Sequence, residues 1–323
     1  MKQLVVREPG GPDRMELVEA PTPSPGRGEV LIAIAVSGVN FLDVYFRSGL
    51  YKSEVPILLG SEAAGTVERV GEGVTDLTIG DRVAYAMVRG SYAEYAVVPA
   101  AQAVKIPDAV NFETAAAVML QGTTAHYLTR STFPLASGHT CLVHAAAGGA
   151  GGLIVQLAKS RHARVFGTVS TEAKAREVRA LGAHEVILYT QQDFAAEVRR
   201  LSEGRGVDVV YDSVGKTTFD KSLSVLKPRG MLVLFGQSSG PVPPFDPNRL
   251  NAAGSIYLTR PSLGHYLATP DELRWRAAEL MALVVSGAVK VRISATYPLS
   301  EAAHAHRDLE SRATTGKLLL RVR

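Results

Sequence analysis

Hydrophobic and polar positions follow three rhythms along the 323 residues. Up to about residue 120 the apolar runs are short and turn-forming residues separate them. Leu4–Arg7, Glu29–Val36, Gly65–Val70, Arg82–Tyr85 and Glu94–Pro99 read as strands, with turns at Gly10-Gly11, Pro21 to Gly28, Gly71 to Gly73 and Gly80-Asp81. Such a succession predicts a Greek-key or barrel-like domain. Asn40 to Ser48 interrupts it as a short helix. From about residue 121, strand and helix alternate. Strands are predicted at 140–145, 163–169, 184–188, 207–212 and 231–235, and helices near 113–129, 150–160, 172–181, 193–203 and 217–226, two of them capped by Gly182 and Gly204. That alternation specifies a parallel sheet with helices on both faces. A proline-rich loop (Pro241, Pro243, Pro244, Pro247) then leads to a strand at Ser255–Leu258. Helical patterns return at 271–286 and 300–311, and Gly316–Val322 closes as a strand. The expected division is 1–121, 122–264 and 265–323, the last part returning to the first domain.

The stretch from Cys141 to Lys159 organises the middle of the chain. Thr140 to Ala145 reads as a buried strand, Gly148 to Gly152 as a glycine turn, and Leu153, Val155, Leu157 and Ala158 as the start of a helix. This is the context that gives a dinucleotide fingerprint its meaning. Gly148 lets the backbone approach a pyrophosphate and Gly151 lets helix and strand pack closely, while the helix N-terminus offers its free N–H groups to the anion. The first glycine of the usual G-x-G-x-x-G is Ala146 here. Glycine turns also occur without ligands, so the neighbouring strand ends have to decide.

The second strand ends Gly167-Thr-Val-Ser170, where an acid would hold the ribose of NAD. No acid is present. Ser170 lies 22 positions after Gly148, and Lys174 follows one helical turn later, a pair that suits a 2′-phosphate. Glu172 opens the next helix, where a carboxylate favours the dipole, and Lys174 also reads as a solvated helix lysine. Tyr189, ending the third strand, is placed for the same phosphate or the adenosine. Asp212-Ser-Val-Gly215 and Phe235-Gly-Gln-Ser238 end the fourth and fifth strands, where the nicotinamide half should lie. Asp212 reads equally as a helix N-cap.

Composition narrows the classes. Hydrophobic residues make up 46% and charged residues 20%, which fits a globular protein with a sizeable core. The net charge of +4 is too small and too dispersed to imply a nucleic-acid partner. One cysteine, Cys141, excludes an intrachain disulfide and a multi-cysteine zinc lobe, and its place in a strand makes it a buried, inert thiol. Met1 to Arg7 lacks the apolar core of a signal peptide, and no apolar run reaches the roughly 18 residues of a membrane helix. A cytoplasmic enzyme is expected.

Seven short motifs, in this order and spacing, carry a resemblance: Gly38-Val-Asn-Phe-Leu-Asp-Val-Tyr45, Leu59-Gly-Ser-Glu-Ala-Ala-Gly65, Gly80-Asp-Arg-Val83, His144 to Gly151, Tyr211 to Gly215, Thr259-Arg-Pro-Ser262 and Glu310-Ser-Arg-Ala-Thr-Thr-Gly316. The chain resembles the zinc-free NADPH:quinone oxidoreductases of the zeta-crystallin type, within the medium-chain dehydrogenase/reductase superfamily. The resemblance implies an α/β fold, a Rossmann-type doubly wound parallel sheet domain with a β-rich GroES-like barrel catalytic domain. It implies NADPH as cofactor and a small quinone as substrate. It assigns Phe41, Leu42, Asp43, Val44, Tyr45 and Thr124 to the nicotinamide end, and Gly148, Gly149, Ala150 and Gly151 to the pyrophosphate. Ser170, Lys174 and Tyr189 fall to the 2′-phosphate; Val214, Phe235, Gly236, Gln237, Ser238, Leu258, Thr259, Arg260 and Arg312 complete the cofactor site.

Zinc-dependent relatives carry Cys and His where this chain has Asn40 and Ser61, and neither replacement is a ligand that zinc prefers. The histidines form no H-x-x-x-H pair, so no metal is expected. A quinone needs no Lewis acid, because its anion is delocalised over a ring; holding the nicotinamide against it supplies much of the acceleration. Asn40, Tyr45 and Tyr51 are the polar candidates to orient that acceptor, and Tyr51 reads equally as an exposed loop tyrosine. Transfer of single electrons or of a hydride stays open. Two other readings share the sequence: an NADPH-dependent enoyl reductase, and an RNA-binding zeta-crystallin-like protein, which the lack of a basic, aromatic-interleaved stripe disfavours. The family usually dimerises through an edge of its nucleotide domain, and Ser255–Leu258 is the candidate edge for a homodimer.

Overall fold

The computed structural model describes all 323 residues. Its first 127 residues form strands β1 (Lys2–Val6), β2 (Met15–Glu19) and β3 (Glu29–Val39), helix α1 (Phe41–Arg47), then β4 (Ile57–Leu58), β5 (Glu62–Val70), β6 (Arg82–Ala86), β7 (Tyr95–Pro99), β8 (Ala103–Lys105) and α2 (Phe112–Tyr127). The alternating part follows: β9 (Thr140–Val143), α3 (Gly149–Ser160), β10 (Arg164–Val169), α4 (Glu172–Leu181), β11 (Glu185–Leu188), α5 (Phe194–Leu201), β12 (Val207–Asp212), α6 (Phe219–Ser224), β13 (Leu226–Leu234), α7 (Asn248–Ala252), β14 (Tyr257–Thr259) and α8 (Leu263–Tyr266). The chain ends in α9 (Pro270–Val285), β15 (Ile293–Pro298), α10 (Ala302–Ser311) and β16 (Lys317–Arg321).

Two compact units result: Met1–Thr123 with Leu267–Arg323, and Thr124–Tyr266. In the first, a sheet runs β15-β16-β3-β5-β6-β8, β7 pairs with β3, and β2-β1-β4 form a smaller sheet. The last strand, β16, is antiparallel to β3, with Leu318 opposite Val39 and Arg321 opposite Val36. β3 is buried along nearly its whole length because it has neighbours on both edges and core on both faces. Its partners approach so closely that a Cβ on Gly65 would stand 2.1 Å from the carbonyl oxygen of Ala33.

The second unit is a six-stranded parallel sheet, ordered β11-β10-β9-β12-β13-β14. Counted within the unit this is 3-2-1-4-5-6, the doubly wound order in which strand direction of travel reverses between β9 and β12. Leu142, Phe166, Ile187, Val210 and Leu232 bury the sheet under its helices. Gly151 is where α3 meets the turn after β9: a Cβ there would lie 2.3 Å from the carbonyl oxygen of Ala145. Cys141 is buried in β9 and burial pushes its thiol up to about 12, so it is no nucleophile.

Several boundaries differ from the sequence expectation for physical reasons. β2 is polar (Met-Glu-Leu-Val-Glu) and lies at a sheet edge, so its pattern carries little strand signal. β4 has two residues, β8 three, and β15 is only half-buried. α6 stops at Ser224 because β13 begins at Leu226. Gly182 does cap α4, in the left-handed region, but α5 ends at Leu201 with Ser202 as its cap; Gly204 closes the turn beyond, its N–H on the carbonyl of Arg199 at 2.8 Å. No helix is long and apolar enough to cross a membrane.

Candidate active site

In the second unit, the residues singled out for a nucleotide lie at or just beyond the carboxyl ends of strands, except Thr124, which lies in α2. Gly148 caps α3 in an extended conformation and supplies no side-chain bond to the helix N-terminus. The N–H groups of Gly149, Ala150 and Gly151 therefore meet no capping side chain, the arrangement that accepts an anion. Ser170 follows β10 and is half-buried, and Lys174 stands in the first turn of α4, where burial pulls its ammonium below the ordinary lysine value and Glu177 partly opposes this. Thr171 caps α4, accepting the N–H of Lys174 at 3.3 Å; Glu172 opens the helix, as expected, and pairs with Arg179 at 2.8 Å. Tyr189 is exposed after β11.

Asp212 is buried and is no helix N-cap: Thr218 precedes α6. Its Oδ1 accepts the N–H groups of Val214 (2.8 Å) and Gly215 (3.0 Å), and its Oδ2 the hydroxyls of Thr218 (2.7 Å) and Ser222 (2.9 Å). It thereby shapes the turn that presents Val214. That turn packs on the next one: a Cβ on Gly236 would stand 2.6 Å from the carbonyl oxygen of Ser213. Phe235, Gly236, Gln237 and Ser238 are half-buried there; Leu258 and Thr259 are half-buried in β14 and Arg260 is exposed.

In the first unit, α1 carries three ring residues, Phe41, Tyr45 and Phe46, and Tyr51 follows it. Tyr45 lies 6.2 Å from Phe41 and 5.2 Å from Tyr51 between ring centroids, and Tyr51 meets Phe46 edge-on at 5.7 Å. The N–H of Tyr51 returns to the carbonyl of Tyr45 at 2.9 Å, so the loop tyrosine is tied to the helix. Phe41 and Leu42 are half-buried and Asp43, Val44 and Tyr45 buried; Thr124 is buried in α2, and Arg312, exposed, ends α10 in the left-handed region (φ 59°).

Asn40 is committed to the protein itself. Its Nδ2 donates to Glu62 Oε1 at 2.7 Å, and its Oδ1 accepts from Lys317 Nζ at 2.7 Å and from Gln121 Nε2 at 3.2 Å. Lys317 and Glu62 form an ion pair with about 1% and 0% of their side chains exposed. Glu62 Oε2 accepts the backbone N–H of Leu120, inside α2, at 2.6 Å. The sequence reading missed Glu62, Gln121 and Lys317; Glu62 alone had a signal, its place beside Ser61.

Residues 26–108 match the family model of the alcohol dehydrogenase GroES-like domain, and residues 181–320 that of the zinc-binding dehydrogenases. A quinone oxidoreductase of Pseudomonas aeruginosa is 46% identical over 313 residues, 96% of each chain. A 2-haloacrylate reductase of a Burkholderia species is 42% identical over 98% of this chain and 97% of that one. The crystal structure of Escherichia coli quinone oxidoreductase complexed with NADPH superposes with a TM-score of 0.98 at 41% identity, covering 100% of both chains. The chain belongs to the quinone oxidoreductases of the medium-chain dehydrogenase/reductase superfamily.

Within this quinone oxidoreductase family member, the donors at the two zinc-ligand positions do not fit zinc. Asn40 offers an amide oxygen already shared with an ammonium, and Ser61 a hydroxyl that donates to Asp43 Oδ1 at 2.8 Å. No three His, Cys, Asp or Glu side chains cluster so as to hold a metal ion. Asp43 Oδ2 accepts the N–H of Asn40 at 3.0 Å and the hydroxyl of Tyr92 at 3.3 Å. His306 Nδ1 faces the Arg47 guanidinium, a pure donor, at 3.0 Å, so its proton is on Nε2, which donates to Tyr92 at 3.1 Å. Arg47 in turn grips Glu310 with two bonds of 2.9 Å. Burial and the Arg47 charge pull His306 down to about 3, keeping it neutral.

Burial pushes Asp43 up to about 6, against the Ser61 bond and the Lys317 charge, which lower it. An unfolded aspartate titrates near 3.8, so between these values the folded chain holds the extra proton. Stability on this account is greatest below about pH 4 and falls, by up to about 3 kcal/mol, as pH rises through 6. Asp43→Asn removes the titration. The melting temperature of the unaltered protein minus that of the variant should therefore grow as pH is lowered from about 7 to 4; a difference that stays flat would show that Asp43 does not titrate there.

Proposed function

We propose that this protein reduces quinones with NADPH and without zinc. The reading rests above all on the Lys317 ammonium bonded to Asn40, at a position where metal-dependent chemistry would need a ligand. Without a Lewis acid, a plain ketone is poorly polarised and an alcohol poorly oxidised. An electron-poor quinone activates itself. The name of the P. aeruginosa relative and the NADPH complex of the E. coli relative support the same reading. NADPH, when bound, supplies two reducing equivalents at its nicotinamide.

The chain's own residues then divide the work. The N–H groups of Gly149 to Gly151 hold the pyrophosphate, and Gly148 lets it approach. Ser170, Lys174 and Tyr189 hold the 2′-phosphate. Val214, Phe235 to Ser238, Leu258 to Arg260 and Arg312 hold the remainder, with Thr124 and the segment Asn40 to Tyr45 toward the nicotinamide. Tyr45 and Tyr51 pack against the reactants; Asn40, bonded to Glu62, Gln121 and Lys317 inside the protein, holds the start of α1 in place.

A second reading has a specific support. A relative named 2-haloacrylate reductase matches at 42% identity, so reduction of an activated C=C bond is the alternative. We also propose a homodimer. β14 is an edge of the sheet, with Tyr257 58% exposed, and pairing it with its two-fold mate would join two six-stranded sheets into one.

Lys174→Ala should weaken NADPH binding by about 1.5–3 kcal/mol and leave NADH binding nearly unchanged, as measured by fluorescence titration. Equal losses would sink the 2′-phosphate assignment. Purified protein should oxidise NADPH with 1,4-benzoquinone, retain that rate after exhaustive chelation, and fail to oxidise simple alcohols. Tyr45→Ala should slow turnover more than Tyr45→Phe because ring packing dominates; equal losses in the two variants would point to the hydroxyl instead. No quinone rate above the uncatalysed background, with ready turnover of an α,β-unsaturated carbonyl compound, would put the alkene reading in its place. Light scattering should return twice the 34.4 kDa chain mass, and a monomer at micromolar concentration would overturn the dimer.

A further inference from the structure

We propose that Lys317 and Glu62 are positioning residues: their buried ion pair fixes Asn40, α1 and α2 in one arrangement for the reaction. The inference rests on the NADPH-dependent reading above, and adds residues to which that reading gives no role.

Four separate stretches of the first unit meet at this pair. Glu62 comes from β5, Lys317 from β16, Asn40 from the start of α1, and Leu120 and Gln121 from α2. Each oxygen of Glu62 has its own task. Oε1 is shared by the ammonium and by Asn40 Nδ2; Oε2 takes a main-chain N–H of α2, one helical turn before Thr124. Asn40 is held in a single orientation, because turning its amide over would set Nδ2 against the ammonium and Oδ1 against the carboxylate. Gln121 extends the assembly by one step. Its Nε2 donates to Asn40, while its Oε1 is buried and has no hydrogen-bond partner in the protein. That oxygen is the acceptor the assembly offers to a bound molecule.

The sequence makes room for the carboxylate. A Cβ on Gly38 would stand 2.2 Å from Glu62 Oε1 and 2.7 Å from its Cδ. Gly38 lies within β3 and has no left-handed backbone to explain it, so its glycine answers to the Glu62 side chain. Stability alone does not account for the pair. Buried ion pairs replaced by apolar groups often leave a protein as stable or more so, because desolvation offsets their attraction. What an apolar pair cannot do is orient an amide and hold a helix by its main chain.

Three variants test the proposal. Lys317→Met combined with Glu62→Gln removes both charges with side chains of similar size, Gly38→Ala pushes the carboxylate aside and deletes no charge, and Lys317→Arg keeps the cation. In the first two, NADPH affinity by fluorescence titration should stay within about threefold of the unaltered protein. Turnover should fall at least about tenfold, and the primary isotope effect with NADPH deuterated at C4 should rise. The fluorescence anisotropy of bound NADPH, which reads how firmly the nicotinamide is held, should drop in both and recover in Lys317→Arg. Unchanged turnover and anisotropy in a folded double variant would overturn the proposal. So would a parallel loss of affinity and turnover, which marks a merely structural pair. The unaltered enzyme is assayed with both 1,4-benzoquinone and an enone: silence with the quinone alone overturns the substrate reading, and the positioning claim is then read on the enone and on anisotropy.

Discussion

A lysine and a glutamate, both buried, tie two strands of the first unit to the starts and turns of its helices. Removing both from solvent costs several kcal/mol per ion unless each finds the other and fills its remaining bonds. Lys317 and Glu62 do so only when the last strand of the chain has come back to β3, across 255 residues of sequence. The barrel-like unit, interrupted by the whole nucleotide-type unit, is thus closed chemically as well as by strand pairing. Two residues at the start of α1 are linked to that closure: Asn40 to the pair directly, and Asp43 through the Asn40 N–H.

The second unit is held by short-range chemistry instead. Asp212 gathers two main-chain and two hydroxyl donors within ten residues of itself. Ser222 donates to that carboxylate, so it accepts from His144 Nε2 at 3.0 Å, and His144 Nδ1 is left to accept from Thr168 at 3.0 Å. Burial holds His144 below its ordinary value, and a neutral imidazole is what this direction of bonding requires. One oriented chain therefore ties the ends of β9, β10 and β12 together beside the turn that carries Val214.

This contrast explains what could be read from the sequence. The parallel sheet was legible because its signals are local: apolar runs, a glycine turn, and a helix at 149–160 against the expected 150–160. The end of β10, with Ser170 and Lys174 and no acid, was legible for the same reason. β2 and β15 were not, since a polar edge strand and a half-buried one lack the period that marks a strand. Lys317 left no trace either. It stands before three leucines in an ordinary strand, and nothing near it in sequence announces a carboxylate from residue 62. Asn40 was found by its motif, but its bonds to Glu62, Gln121 and Lys317 could not be read there, because those partners lie 22 to 277 positions away.

The ion pair also bears on which acceptors this architecture suits. Lys317 and Glu62 cancel each other's charge, and Asn40 spends its polar atoms on both and on Gln121. Such an array presents a fixed dipole where a zinc site would present a net positive charge. It has little power to draw electrons from an unactivated carbonyl. Its strength lies in geometry, in holding α1 and α2 so that the reacting carbon has few wrong orientations to explore. On that reasoning the substrate must bring its own electron deficiency. A quinone does so through its ring, and a halogenated or carbonyl-conjugated alkene through its substituent. The two readings therefore make one demand on the protein's electrostatics and differ in the shape of molecule to be admitted.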